Sequence, residues 1–190
     1  MFTLSPRTLL LLLITALASW FGMMIVHESG HVLAAWLSGG RVERVVLDPL
    51  GFSRTDLAEN PSPTFVAFAG TVWGSSLPLL AWLAARATGW RQAFLLRAFA
   101  GFCLLANGAY LASAAILPVG DSEDLLRLGV PRWLLVVPGI AAIAAGLAAW
   151  NGLGDAFGLR NRPINRNALL VVACTLLVLV LGMSLWTYGR

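Results

Sequence analysis

Nineteen residues from Thr8 to Val26 carry no charged side chain, and the run does not end in a polar loop. It meets His27-Glu28-Ser29-Gly30-His31 and then resumes as Val32-Leu33-Ala34-Ala35-Trp36-Leu37. About 20 apolar residues suffice to span a bilayer as a helix. In a helix, positions i and i+4 share a face, so His27 and His31 can hold one metal ion between them. Glu28 lies about 100° further round, within reach of a water on that ion without being a ligand itself. A bare H-E-x-x-H match means little in a soluble sequence. Here an ionised carboxylate inside an apolar helix costs roughly 3 kcal/mol to insert, so its presence points to chemistry. The plain alternative is a helix that has emerged into water with Glu28 merely solvated. The largely apolar residues after His31 argue against it.

Composition sets the solvent. The chain of 190 residues is 58% hydrophobic and 12% charged, with mean hydropathy +0.79. Soluble domains average about 25% charged residues, so this is an integral membrane protein in contact with the lipid bilayer. Its net charge of +4 comes with arginine as the sole basic residue, and these arginines punctuate apolar runs without building a basic face. That excludes a nucleic-acid partner. The two cysteines, Cys103 and Cys174, fall in apolar helices and read as packing residues. The first apolar run follows Arg7 as a secretory signal would, but it has no small-residue cleavage site and carries the histidines at its end. It reads as a retained membrane helix.

The expected fold is all-α, with about five transmembrane helices and a short β-hairpin after the first, forming one membrane-embedded domain over residues 1–190. Core helices are expected at 8–37, 63–85 and 92–117, and accessory helices at 132–150 and 167–187. The first, at about 1.5 Å per residue, is near 45 Å long and exceeds a hydrocarbon core of about 30 Å, which sets His27 near the far membrane boundary. After Ser38-Gly39-Gly40 the period changes to two, with Val42, Arg44 and Val46 alternating against Glu43, Val45 and Leu47. Asp48 to Gly51 then makes a turn before a return strand at Phe52–Thr55. This hairpin is either a surface connection or an open edge on which Val42, Val45 and Val46 pair with an extended peptide. Ala67, Gly70, Gly74 and Ser75 form a small-residue face for helix packing. Asn107, inside an apolar helix, needs a partner: another helix or a substrate backbone.

Two histidines leave a catalytic zinc site one protein ligand short. With no further histidine available, a carboxylate must complete it. The distant candidates are Asp48, Asp56, Glu59, Asp121, Glu123, Asp124 and Asp155. Asp121 is favoured because it follows the break at Pro118 and Gly120, with Asp124 as the alternate. Against this, Asp121 could simply cap a short amphipathic helix over 122–128.

The chain resembles the site-2 protease family of intramembrane zinc metalloproteases, as a small member without a peptide-binding module. The resemblance rests on Val26-His-Glu-Ser-Gly-His31, Gly40-Arg-Val-Glu-Arg-Val45, Ala69-Gly70 and the acidic stretch after the third helix. The family's Leu-Asp-Gly motif is only approximated by Leu117-Pro-Val-Gly-Asp121-Ser122. The resemblance implies Zn2+ held by His27, His31 and Asp121, Glu28 as general base, and a membrane-spanning protein as substrate. It also implies a multi-pass protein of the cell membrane with its metal end towards the cytoplasm. Orientation is not fixed by charge. Arg7, Arg86, Arg91, Arg160, Arg162 and Arg166 balance Arg41, Arg44, Arg54, Arg127, Arg132 and Arg190 on alternate sides. Two rivals stand beside the protease: a proteolytically silent metal-binding member of the same fold acting as a regulatory partner, and a transporter or structural bundle with a metal-stabilised core. The first has no need of Glu28, and the second would need a polar path that the last two helices lack.

Overall fold

A computed structural model describes residues 4–159 and 163–188. Helix α1 spans Pro6–Leu37, two residues earlier than expected, because the Ser5 hydroxyl accepts the Thr8 amide at 3.1 Å and Pro6 opens the first turn. Thr8, Leu11, Thr15, Ser19 and Gly22 are buried, while Leu9, Leu10, Leu13, Leu17 and Trp20 are exposed. A soluble helix would do the reverse. In lipid the leucines gain nothing by leaving the solvent, so small and polar residues form the contact face.

The hairpin follows as β1 (Arg41–Val46) and β2 (Arg54–Glu59), antiparallel to each other. The first strand is where the alternation put it. The return strand is not at 52–55, because Asp48 bonds the Leu50 amide at 2.9 Å and holds a wider turn. The displaced strand gains two cross-strand ion pairs, Arg44–Asp56 at 3.0 Å and Arg41–Glu59 at 3.2 Å. Val42 and Leu57 pack against Ala34, Ala35 and Val66, fixing the hairpin to α1 and α2.

Helix α2 (Pro63–Ala87) packs on α1, and α3 (Ala93–Ala112) packs on α2. The third helix was expected to reach residue 117. It ends at Ala112 and tightens into a 3-10 turn at Ser113–Ala115, where the Ser113 hydroxyl donates to the Tyr110 carbonyl and pairs with the Ser122 hydroxyl. The chain then unwinds to Gly120 and re-enters a short helix, α4 (Asp121–Arg127). Helices α5 (Trp133–Trp150) and α6 (Arg166–Tyr188) match the two accessory helices to within a residue at each end. The α3–α5 seam is close. A Cβ on Gly108 would stand 2.7 Å from the Gly139 carbonyl oxygen, and one on Gly146 would stand 2.8 Å from that of Gly101.

Among the described residues, five helices, with α3 extended through its 3-10 turn, are long and apolar enough to cross a membrane, so the protein is a multi-pass membrane protein. Arg160, Arg162 and Arg190, used in the charge count, lie outside the described residues. From α6, Trp186 Nε1 donates to the Val45 carbonyl at 2.7 Å, Thr187 to that of Leu47 at 2.6 Å, and Tyr188 to the Asp48 carboxylate at 3.1 Å. Both cysteines are free thiols, Cys103 buried and Cys174 exposed.

Candidate metal centre

His27, Glu28 and His31 are buried on the inward face of α1, and each ring is held from behind. The Asn107 amide nitrogen donates to the Cys103 carbonyl at 2.9 Å, so its oxygen is the atom facing His27 Nδ1 at 2.8 Å. The Val66 carbonyl, which can only accept, faces His31 Nδ1 at 2.8 Å. Both Nδ1 atoms therefore carry the proton in the neutral rings, and both Nε2 atoms turn bare lone pairs inward.

Those lone pairs meet a carboxylate. His27 Nε2 lies 3.0 Å and His31 Nε2 lies 3.3 Å from Asp121 Oδ2, and the two nitrogens are 3.2 Å apart. Burial pushes the Asp121 carboxyl up, while hydrogen bonds and charge from the two histidines, when their Nε2 atoms carry protons, hold it down at about 2. With both rings neutral, three electron-pair donors face one another, an arrangement that a cation can bridge. Ligands about 2.05 Å from a tetrahedral ion are about 3.3 Å apart, which is the spacing observed. The residues present fit zinc.

Room for that ion comes from α2. A Cβ on Gly70 would stand 2.4 Å from His31 Nε2 and 2.7 Å from His27 Nε2. Any side chain there would take up the space in front of both nitrogens. Asp121 is delivered by the break before α4. Gly120 adopts φ +51°, and a Cβ on it would collide with the Tyr110 hydroxyl. That hydroxyl accepts the Asp121 amide at 3.2 Å. Asp121 is therefore the first residue of α4, with its side chain on His27, and not the cap of a helix over 122–128. Asp124 lines the same cavity but is exposed and is not among the converging donors. Asp48, Asp56, Glu59 and Glu123 are engaged elsewhere, by Tyr188, by Arg44 and Arg54, by Arg41 and by Arg127.

Glu28 is not one of the three donors. Its Oε2 accepts the Thr55 hydroxyl at 2.7 Å, a contact from β2 that sequence reasoning missed. A cavity of about 500 Å³ with a mixed lining opens in front of the cluster, bordered by Glu28, Thr55, Asn60, Asp121 and Arg127 among others. An apolar cavity of about 380 Å³, with Trp20, Met23, Met24 and Phe52 in its wall, reaches the same point between α1 and α3. His27, Glu28, Ser53 and Tyr110 border both.

Of the residues expected to meet a substrate, Asn107 is buried, with its amide oxygen on His27 and its amide nitrogen on the Cys103 carbonyl, and it borders the apolar cavity. Val42, Val45 and Val46 do not line the cavity. They lie on β1, where Val42 packs into the core and the outward carbonyl of Val45 is taken by Trp186. The strand beside the cluster is β2, which supplies Arg54, Thr55 and Leu57.

A family model described as Peptidase M50B-like matches residues 7–116, more than half of the chain. The match covers α1, the hairpin, α2 and α3, and stops short of Asp121. No curated protein and no solved structure matches the chain.

Proposed function

From the premise that this chain belongs to the peptidase M50B-like family, we propose that it is a zinc endopeptidase hydrolysing peptide bonds within or near the membrane-spanning segments of other proteins. Membership implies a membrane protein of the metallopeptidase kind. The finer reading is carried by one observation: His27 Nε2, His31 Nε2 and Asp121 Oδ2 converge within 4.8 Å of one another, beside a fourth buried group, Glu28, that is not one of the three.

In this reading His27, His31 and Asp121 hold the ion. Bound zinc supplies Lewis acidity, polarising the scissile carbonyl and lowering the pKa of water to about 7. Glu28 accepts the proton lost by the attacking water and returns it to the leaving amine as the C–N bond breaks. Thr55 fixes the oxygen that Glu28 presents. Asn107 and Val66 hold the histidine tautomers that leave Nε2 free.

A helical peptide bond is shielded, so the substrate must be extended before it is cut. Strand β2 pairs only with β1 among the described residues and contributes side chains to the cavity, so its other edge can add a strand. The apolar cavity between α1 and α3 gives an apolar segment a path to the same four residues. We take α1–α3 with the hairpin and α4 as the catalytic core, and α5 and α6 as accessory, in one unit of the cell membrane.

The test pairs zinc content with fragment release from a co-expressed single-span protein. Glu28→Gln keeps size and removes the base. It should retain about one zinc per chain and lose on the order of 10²-fold or more in rate. Normal zinc with normal cleavage in this variant would sink the protease reading. A proteolytically silent metal-binding member would show the zinc and no cleavage even in the wild type.

A further inference from the structure

We propose that Tyr110 is a further catalytic residue, whose hydroxyl donates a hydrogen bond to the scissile carbonyl oxygen as that oxygen takes up negative charge. The inference rests on the peptidase reading above.

Tyr110 stands one helical turn from Asn107 on α3, edge-on to the ring of His27 with centroids 5.7 Å apart and an interplanar angle of 77°. Its hydroxyl oxygen accepts the Asp121 amide at 3.2 Å. That contact uses a lone pair and leaves the O–H proton without a protein acceptor among the described residues. The hydroxyl is also fixed in place, since Gly120 passes so close that no Cβ fits.

The groups around it are committed or of the wrong kind. His27 and His31 have spent their Nδ1 protons on Asn107 and Val66, and Glu28 and Asp121 are acceptors. The Thr55 hydroxyl is given to Glu28, and the Asn107 amide to Cys103. Of the four side chains bordering both cavities, Ser53 turns its hydroxyl to Met24 Sδ at 3.6 Å. Tyr110 alone of these four keeps an uncommitted donor at the place where the cavities meet. A tetrahedral intermediate needs a donor where its oxyanion forms, and a rigid one that excludes water is worth the most. The bonds are those of the hydrolysis already described, and Tyr110 keeps its proton throughout, sharing it with the oxyanion.

The experiment compares wild type, Tyr110→Phe and Glu28→Gln, each reconstituted in lipid vesicles with a single-span substrate and assayed for zinc, kcat and KM. Tyr110→Phe should hold about one zinc per chain and keep its KM, while kcat falls on the order of 10²-fold. Its affinity for a phosphinic peptide, whose tetrahedral oxygens mimic the oxyanion, should fall in parallel, while affinity for an uncleaved ground-state peptide is unchanged. Full kcat in Tyr110→Phe would overturn the proposal. So would a fall that tracks lost zinc, because Tyr110 would then only be positioning Asp121. Absence of cleavage by wild type, or wild-type cleavage by Glu28→Gln, would remove the peptidase reading itself and this inference with it.

Discussion

Helix α3 meets α2 on one side and α5 on the other, and glycines line both seams for different ends. On the α5 side, Gly108 faces the Gly139 carbonyl and Gly146 faces that of Gly101, so what the missing Cβ admits is another backbone. On the α2 side, a Cβ on Gly74 would stand 2.9 Å from the Asn107 amide nitrogen of α3, and Gly70, where α2 meets α1, faces the His27 and His31 imidazoles. There the missing Cβ admits polar side chains. The inward residues of α5 and α6 are Leu135, Gly139, Gly146 and Ala149, then Ala168, Val172 and Met183. Those of α1 and α3 include two histidines, a glutamate and an asparagine. Small-residue stripes in a membrane bundle are thus of two kinds, and only the atoms opposite the glycine distinguish them.

The sharpest way to break this contrast is Gly70→Ala. One methyl group placed against both Nε2 atoms should remove zinc and abolish cleavage while the protein still folds, as read by metal content and thermal unfolding. Stoichiometric zinc in this variant would mean that the α2 seam is ordinary packing. Asn107→Leu comes next in size. It preserves bulk but removes the acceptor that fixes the His27 tautomer, and zinc affinity should fall about 10–100-fold. An unchanged affinity by chelator competition would show that His27 does not depend on α3 for its orientation. The smallest effect on the site belongs to Gly146→Ala. Forcing α3 and α5 apart should cost about 1–3 kcal/mol of stability, seen as a lower unfolding midpoint, with zinc content unchanged. Loss of metal there would join the two seams into one.

This contrast also explains what could be read from the sequence. His27, Glu28 and His31 share one helix, and a single period of 3.6 relates them, so their grouping needs no tertiary information. The five helices announce themselves by length and apolarity. Asp121 is signalled only by the backbone break at Pro118 and Gly120, and its nearness to the histidines depends on how α3 and α4 turn. Asn107 stood out as a polar group in an apolar helix, but its partner could not be named, because lipid-facing and inward positions look alike in a helix that is apolar all round. The hairpin misled for a related reason. Both strands alternate, and which of them lies inward is decided by Val42 and Leu57 docking on α1 and α2, so the site-facing strand is β2 and not β1. Thr55 was unreadable because nothing local links it to Glu28.

The bonds from Trp186, Thr187 and Tyr188 to the first strand and its turn span about 140 residues of chain. Ribosomes deliver the chain in order, so α1 and its histidines are made long before α6 exists to fasten the hairpin beside them. Until that fastening, β1 keeps an outward carbonyl unpaired at Val45, and the strand bearing Thr55 lacks part of its support. The contacts that fasten the hairpin beside Glu28 thus form only after α6 has been made. Birth order thus separates the inserting polypeptide, itself a string of apolar helices, from the finished site.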